Sequence, residues 1–240
     1  MKFLTEPALL IDGVLVVADL HIGMEQEIGD SGVTVPSQIE SIKERLLTLI
    51  KQNRAKHLVI LGDVKHNVPQ MNWTELRELP VMLNELAKKV KVSIVKGNHD
   101  GGIERVARNA DVYEPDGFAL GEYAFVHGQA WPKPELLSCK TLIMSHAHPV
   151  VEFFSQGTRM TEHCWLRCRV NAAAFEKKLK VKCNLEEAVV MPVFNRLIGG
   201  VAVNSERFKP IGPVLKSVDW QDADVFLTDG TYLGKTKEIK

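Results

Sequence analysis

Three short apolar runs, each rich in β-branched side chains, constrain the fold of this 240-residue chain more than anything else in it. They are Val14 to Ala18, His57 to Leu61 and Val92 to Val95. A run that is apolar at successive positions, instead of at alternate ones, suits a strand covered on both faces. The segments between them follow another period. Ile39, Ile42, Leu46, Leu47 and Ile50 recur at helical spacing within Ser37 to Arg54, and Ser37 with Glu40 has the spacing of a capping box. Leu76, Leu79, Leu83, Leu86 and Val90 repeat the helical pattern, with Pro80 expected in the first turn or at a break. Strand, helix, strand, helix, strand predicts parallel pairing through right-handed crossovers.

Beyond residue 110 the pattern turns to strands. Phe118 to Leu120 and Tyr123 to Val126 read as a hairpin around Gly121 and Glu122. Thr141 to Met144, Trp165 to Val170, Ala188 to Val193 and Asp224 to Leu227 add strands, and Asn171 to Leu179 is the clear late helix. No Pro/Gly/Ser-rich linker divides the halves, and both supply candidate functional residues. Residues 1–240 are therefore expected to form one α/β domain containing two packed sheets.

Composition adds bounds. With 45% hydrophobic residues there is material for a full core, and thirty basic residues balance thirty acidic ones. Net charge thus argues neither for nor against nucleic acid. No run approaches the roughly 18–20 apolar residues needed to span a bilayer. The stretch Ala8 to Leu20 is interrupted by Asp12 and Asp19 and has no basic leader, so no membrane span and a cytoplasmic location are expected. Cys139, Cys164, Cys168 and Cys183 lack metal-type spacing and read as reduced, partly buried thiols.

Polar residues gather where the apolar runs end. Asp19 and His21 are two apart, so on an extended segment both would point to one side. Asp63 follows Gly62, and its two carboxylate oxygens suit a bridge between cations. Asn98 offers an amide oxygen, His146 and His148 repeat the two-residue spacing, and His127 completes the series. Singly, each is a weak signal, since a lone Asp after a strand is usually a helix cap. Together, in order at strand carboxyl ends, they predict a two-cation site, the standard device for in-line attack on phosphorus. Mixed oxygen and nitrogen donors without thiolate favour Mn²⁺ and also admit Fe, Zn, Ni or Co.

The order D-x-H, G-D-x-x-H, G-N-H-D, H and H-x-H resembles the calcineurin-like metallophosphoesterase superfamily. The usual Gly before H-x-H is Ser145 here. Pro192 to Asn195, Gly199-Gly200 and Asp229 to Tyr232 are similar to compact phosphoesterases related to SbcD-type nucleases. The resemblance implies a four-layer αββα sandwich of two mixed sheets flanked by helices. It also implies that Asp19, His21 and His148 hold one metal and Asn98, His127 and His146 the second, with Asp63 bridging. His99 would face the leaving oxygen with Asp100 behind it, and a metal-bridging hydroxide would attack in line.

His66 in Gly62 to His66 resembles the form found in the SbcD-like enzymes. Binding of the scissile phosphate, protonation of the leaving sugar and simple packing all remain open for it. Arg159 to Lys182 carries seven basic residues against two acidic ones, interleaved with aromatics. Its lysine run reads as a solvated helix end, whereas Arg159, Arg167 and Arg169 are the candidates for phosphate contact. Trp131 suits either the cleft or the core. A length of 240 residues leaves no room for the DNA-capping segments of the larger nucleases. The expectation is therefore a DNA endonuclease acting on single-stranded or distorted DNA, with a helicase or ligase as a possible repair partner. The alternative is a phosphoesterase for nucleotides or cyclic nucleotides.

Overall fold

A computed structural model describes residues 1–30, 32–33, 35–155 and 157–239. Strands β1 (Lys2–Phe3), β2 (Leu9–Ile11) and β3 (Val14–Val17) are followed by helices α1 (Met24–Asp30) and α2 (Ile39–Asn53). Then come β4 (His57–Leu61), α3 (Trp73–Ala87), β5 (Lys91–Val95) and β6 (Asp111–Tyr113). The strands form a six-stranded sheet in sequence order, antiparallel from β1 to β3 and parallel from β3 to β6.

The rest of the chain runs β7 (Phe118–Leu120), β8 (Tyr123–Phe125), β9 (Thr141–Met144), β10 (Pro149–Ser155) and β11 (Thr158–Arg169). It continues through α4 (Ala172–Leu179), β12 (Glu187–Val190), β13 (Val201–Ala202), α5 (Gly212–Leu215), β14 (Asp224–Leu227) and β15 (Tyr232–Lys235). This nine-stranded mixed sheet has the order β13-β10-β11-β12-β9-β8-β7, with β14 pairing both β11 and β15.

Strand alternation explains the layering. Leu15, Val17, Leu58, Ile60, Val92 and Ile94 join the side chains of α2 and α3 in one core. Their neighbours Val14, Val16, Val59, Leu61 and Val95 meet Phe125, Ile143, Trp165 and Val189 of the second sheet. On that sheet's far face Leu142, Met144, Leu166, Ala188 and Val190 pack with Phe175 of α4 and Leu215 of α5. Three apolar layers therefore separate helix, sheet, sheet and helix, which is the αββα sandwich. Each large side chain buried in them contributes roughly 1.5–3 kcal/mol. Trp165, fully buried, stacks on Phe3 at 4.6 Å between the sheets.

Some local expectations change. The N-cap of α2 is Gln38, whose side chain makes no cap, and the Ser37 hydroxyl accepts the Ile39 N–H at 3.5 Å while donating to Glu78 at 3.4 Å. The capping box belongs to α3, between Asn72 and Glu75. Pro80 lies inside α3 without ending it, because Leu79, Met82, Leu83 and Leu86 pin the helix on both sides of the missing N–H. Strand β11 begins at Thr158, since its exposed polar first half pairs with β10 and has no apolar pattern of its own. All four cysteines are buried free thiols, and burial pushes the Cys168 thiol up to about 12. Trp131 packs against Phe175. Among the described residues, no helix is long and apolar enough to cross a membrane.

Candidate active site

The carboxyl ends of β3, β4 and β5 lie side by side and lead into loops carrying Asp19, Asp63 and Asn98. From the second sheet, β8 leads to His127, and β9 to His146 and His148. A cleft of about 380 Å³ opens there, lined by His21, Asp63, Asn98, His99, His146 and His148 with Gly199 and Gly200 beside them. The structure thus brings together every residue expected to ligate metal.

The backbone achieves this by curling instead of extending. Asp19, His21, Asp63, His146 and His148 all have left-handed φ, from 42° to 69°. The two-residue spacing therefore converges through tight left-handed turns, and the extended segment expected from the sequence is not what aligns it. Such conformations cost of order 1–3 kcal/mol each and persist where surrounding bonds over-determine them. Here Asp19, His21 and Ile22 donate their backbone N–H groups to Gly62, Asp63 and Val64 at 3.1, 2.8 and 3.0 Å. Asn195, buried in the Pro192 to Asn195 segment, donates its amide to the Leu20 carbonyl at 2.8 Å.

The donor atoms of Asp19, His21, Asp63 and His148 all lie within 4.8 Å of one another, as do those of Asp63, His127 and His146. Asp63 is common to both groups. Its Oδ1 accepts the His99 N–H at 2.9 Å, while Oδ2 stands 3.7 Å from His21 Nε2 and 3.4 Å from His127 Nε2. His148 Nε2 is 3.4 Å from Asp19 Oδ1. Two donors about 2.1 Å from one cation stand roughly 3.0–3.4 Å apart at octahedral or tetrahedral angles, close to these spacings. Both oxygens of Asp19, His21 Nε2 and His148 Nε2 are buried with no hydrogen-bond partner among the described residues. Orphaned polar atoms cost about 1–3 kcal/mol each. Their convergence fits a divalent cation, and oxygen–imidazole donors fit Mn²⁺-type chemistry.

Outer contacts fix the imidazoles. His127 Nδ1 donates to the Leu61 carbonyl at 2.8 Å, which turns Nε2 toward Asp63. Ser145, at the position where the motif usually has glycine, places its buried hydroxyl 3.0 Å from the same Nδ1 and 2.8 Å from the same carbonyl. Gly62 has φ of 75°, and a Cβ there would lie 2.3 Å from His127 Nδ1. His99 Nδ1 donates to the His66 carbonyl, so Nε2 is its ring nitrogen without a partner among the described residues. His66 directs Nδ1 to His21 Nδ1 at 3.1 Å and Nε2 to Glu27 at 2.5 Å. Both of its ring nitrogens are thus occupied behind the candidate metal donors. Asp100 does not touch the His99 ring; its buried carboxylate accepts from the N–H groups of Val64, Lys65 and Gly97, tying two ligand loops together.

Electrostatics follow from burial. Desolvation lowers His21 to about 4 against the pull of Asp19 and Asp63. Desolvation, then the charge of His127, lowers His146 to about 4. Both rings are therefore neutral and able to ligate near pH 7. Burial opposes ionisation of Asp63, yet His127 and His21 outweigh it and hold its pKa below the usual range. Burial likewise opposes charge on His127, but Asp63 and Asp19 raise its pKa above the ordinary histidine value. Burial, then Asp63, pushes Asp100 up to about 6.

The candidate substrate arginines lie elsewhere. Arg167 and Arg169 pair with Val189 and Glu187 on β12, and Glu187 pairs with Thr141 at the start of β9, whereas the ligands follow its end. Their guanidiniums bond Glu187 and Asp222, and Arg159 bonds Glu152 in the β10–β11 hairpin. Neighbouring carboxylates therefore already hold all three, and none lines the cleft. Asn195 and Ser145 stand inside motif segments but their contacts were not legible in the sequence, and Glu75 carried no sequence signal.

A family model described as calcineurin-like phosphoesterase matches residues 13–182. The chain belongs to this family. As a calcineurin-like phosphoesterase it is a metal-dependent hydrolase, and the donor set described above suits that chemistry. Its fold matches that of Pseudomonas putida nuclease MPE over 96% of this chain and 93% of that one, at 22% identity and a TM-score of 0.62. The E. coli phosphoesterase Yfce aligns with 61% of this chain and 75% of its own, at 22% identity and a TM-score of 0.38. No curated protein matches the sequence.

Proposed function

We propose that this calcineurin-like phosphoesterase is a dinuclear phosphodiesterase that cleaves single-stranded or distorted DNA internally. The observation that carries the reading is Asp63, whose Oδ2 stands between two separate groups of donors. Asp19, His21 and His148 would hold one cation and Asn98, His127 and His146 the other. When bound, the pair would activate water and neutralise charge on the non-bridging phosphate oxygens, with Mn²⁺ the metal that the donors favour.

The chain's own groups do the rest. His99 lines the cleft, and the His66 carbonyl takes its Nδ1 proton. With Nδ1 so engaged, Nε2 is the ring atom from which a proton can pass to the departing sugar oxygen. Asp100 keeps the Asp63 and Asn98 loops in register beneath the reacting phosphate. His66 supports this centre through His21 and His99. DNA as substrate draws support from the nuclease named above, whose fold is shared over nearly the full length of both chains. Gly199 lines the cleft, and an added Cβ there would meet no atom within 4 Å, which leaves room for a strand beside the donors.

The test is nicking of circular single-stranded DNA with Mn²⁺, beside hydrolysis of aryl phosphomonoesters and diesters, each with and without chelator. Linearised circles that chelator abolishes are expected. Intact circles together with efficient aryl ester or nucleotide turnover would refute DNA cleavage and establish a small-molecule phosphoesterase.

A further inference from the structure

We propose that Glu75, on the first turn of α3, is a positioning residue for His99 and acts through a single peptide unit. Glu75 is fully buried, and burying a carboxylate is costly unless its oxygens are satisfied. Capping the helix uses one of them, since Oε2 accepts the Asn72 N–H at 2.8 Å. Oε1 is spent away from the helix. It accepts the backbone N–H of His66 at 2.9 Å, the backbone N–H of Asn67 at 2.7 Å and the Asn67 side-chain amide at 3.1 Å.

The Asn67 N–H and the His66 carbonyl belong to the same planar peptide group, and that carbonyl accepts the His99 Nδ1 proton. Carboxylate, peptide and imidazole therefore stand in series. An anion on the N–H side polarises the amide and strengthens its carbonyl as an acceptor, because hydrogen bonds in a chain reinforce one another at low dielectric. The same series fixes the ring's rotation and keeps its Nδ1 protonated. On the far side of Asn67 the fully buried Lys65 donates its ammonium to the Asn67 carbonyl, so opposite charges hold both ends of this residue. Neither Glu75 nor Lys65 lines the cleft.

The inference rests on the reading of His99 as the group that protonates the leaving oxygen. It is tested in the full-length Mn²⁺-loaded enzyme with aryl phosphodiesters whose leaving phenols span a range of acidity. Glu75→Gln is expected to lower kcat roughly 10- to 100-fold with KM unchanged, the usual scale for losing an outer support of a reacting group. The loss should grow as the leaving group becomes more basic, as it does in His99→Ala, and Glu75→Gln should cost nothing further in the His99→Ala background. Asn72→Ala, which breaks the other half of the capping box, should lower Tm without dependence on the leaving group.

Proton NMR of the Zn²⁺-loaded enzyme, whose diamagnetic ion leaves nearby resonances sharp, gives a readout independent of turnover. The downfield His99 Nδ1–H resonance should move upfield in Glu75→Gln. An unmoved resonance, or a loss in Glu75→Gln that is independent of leaving group and multiplies with that of His99→Ala, overturns the proposal. If His99→Ala itself shows no leaving-group dependence, the reading of His99 fails, and the resonance alone then decides for or against Glu75.

Discussion

Replacing Gly62 by alanine tests the site through a single methyl group. The added Cβ would lie 2.3 Å from His127 Nδ1, 2.5 Å from His127 Cγ and 2.9 Å from the Gly97 Cα. Ordinary contact begins near ~3.5 Å, so the ring must retreat by about 1.2 Å, the difference between 3.5 and 2.3. His127 has no exposed surface, so the retreat has no free space to use. The Nδ1 bond to the Leu61 carbonyl, 2.8 Å in the native protein, would then be lost. An unmade buried hydrogen bond costs about 1–3 kcal/mol, and alanine at the left-handed φ of 75° adds about 1–2 kcal/mol. A destabilisation of about 2–5 kcal/mol is expected in the metal-free protein. Affinity for the second equivalent of Mn²⁺ should fall roughly 10- to 100-fold, because His127 is held by an outer partner that the change displaces. Chemical unfolding measures the first effect and titration calorimetry the second. A Gly62→Ala protein that binds two equivalents of Mn²⁺ with native affinity would refute the placement of His127 as a ligand.

Other outcomes follow from the same geometry. His99→Ala should retain two equivalents of Mn²⁺ by calorimetry while kcat falls roughly 10²- to 10⁴-fold, the scale of general-acid assistance; lost metal would make His99 a ligand instead. The raised pKa of His127 means that, without metal, its protonation stabilises the fold fully below the ordinary histidine range, a contribution lost as pH rises through the raised value. A cation must displace that proton, so Mn²⁺ affinity should rise with pH over the same window, with proton uptake by buffer detectable in calorimetry. A pH-independent affinity would contradict this. His66→Ala should weaken Mn²⁺ binding through loss of the His21 contact and slow monoester and diester turnover alike; a selective loss of diester cleavage would put His66 on the substrate.

The convergence of the candidate donors was legible because each is a distinctive residue type at the end of an unmistakable buried strand. Asp63 could be placed after β4 with no knowledge of where β9 lies. What could not be read was how the ligand loops bend. Left-handed φ at five of the candidate ligands depends on cross-loop hydrogen bonds such as His21 N–H to the Asp63 carbonyl, which join residues distant in sequence. The arginines misled for a related reason. A basic segment following His148 in sequence turns back along β11, so Arg167 and Arg169 lie toward the far end of the sheet, matched to Glu187 on β12 and to Asp222 in the turn before β14. The Asn72 capping box lies ahead of Leu76, the first residue of the apolar period, and Leu76 is exposed, so that period does not mark where α3 starts.

Each proposed cation would draw donors from both sheets: Asp19 and His21 with His148 in one case, Asp63 with His127 and His146 in the other. Metal loading would thus rivet two layers that otherwise meet through greasy contacts such as Val16, Phe125 and Trp165 and through a few hydrogen bonds such as that of His127 to the Leu61 carbonyl. Slippage of one layer past the other would pull each coordination sphere apart. Damage at Trp165, remote from the chemistry, would be felt at the metals as loosened grip.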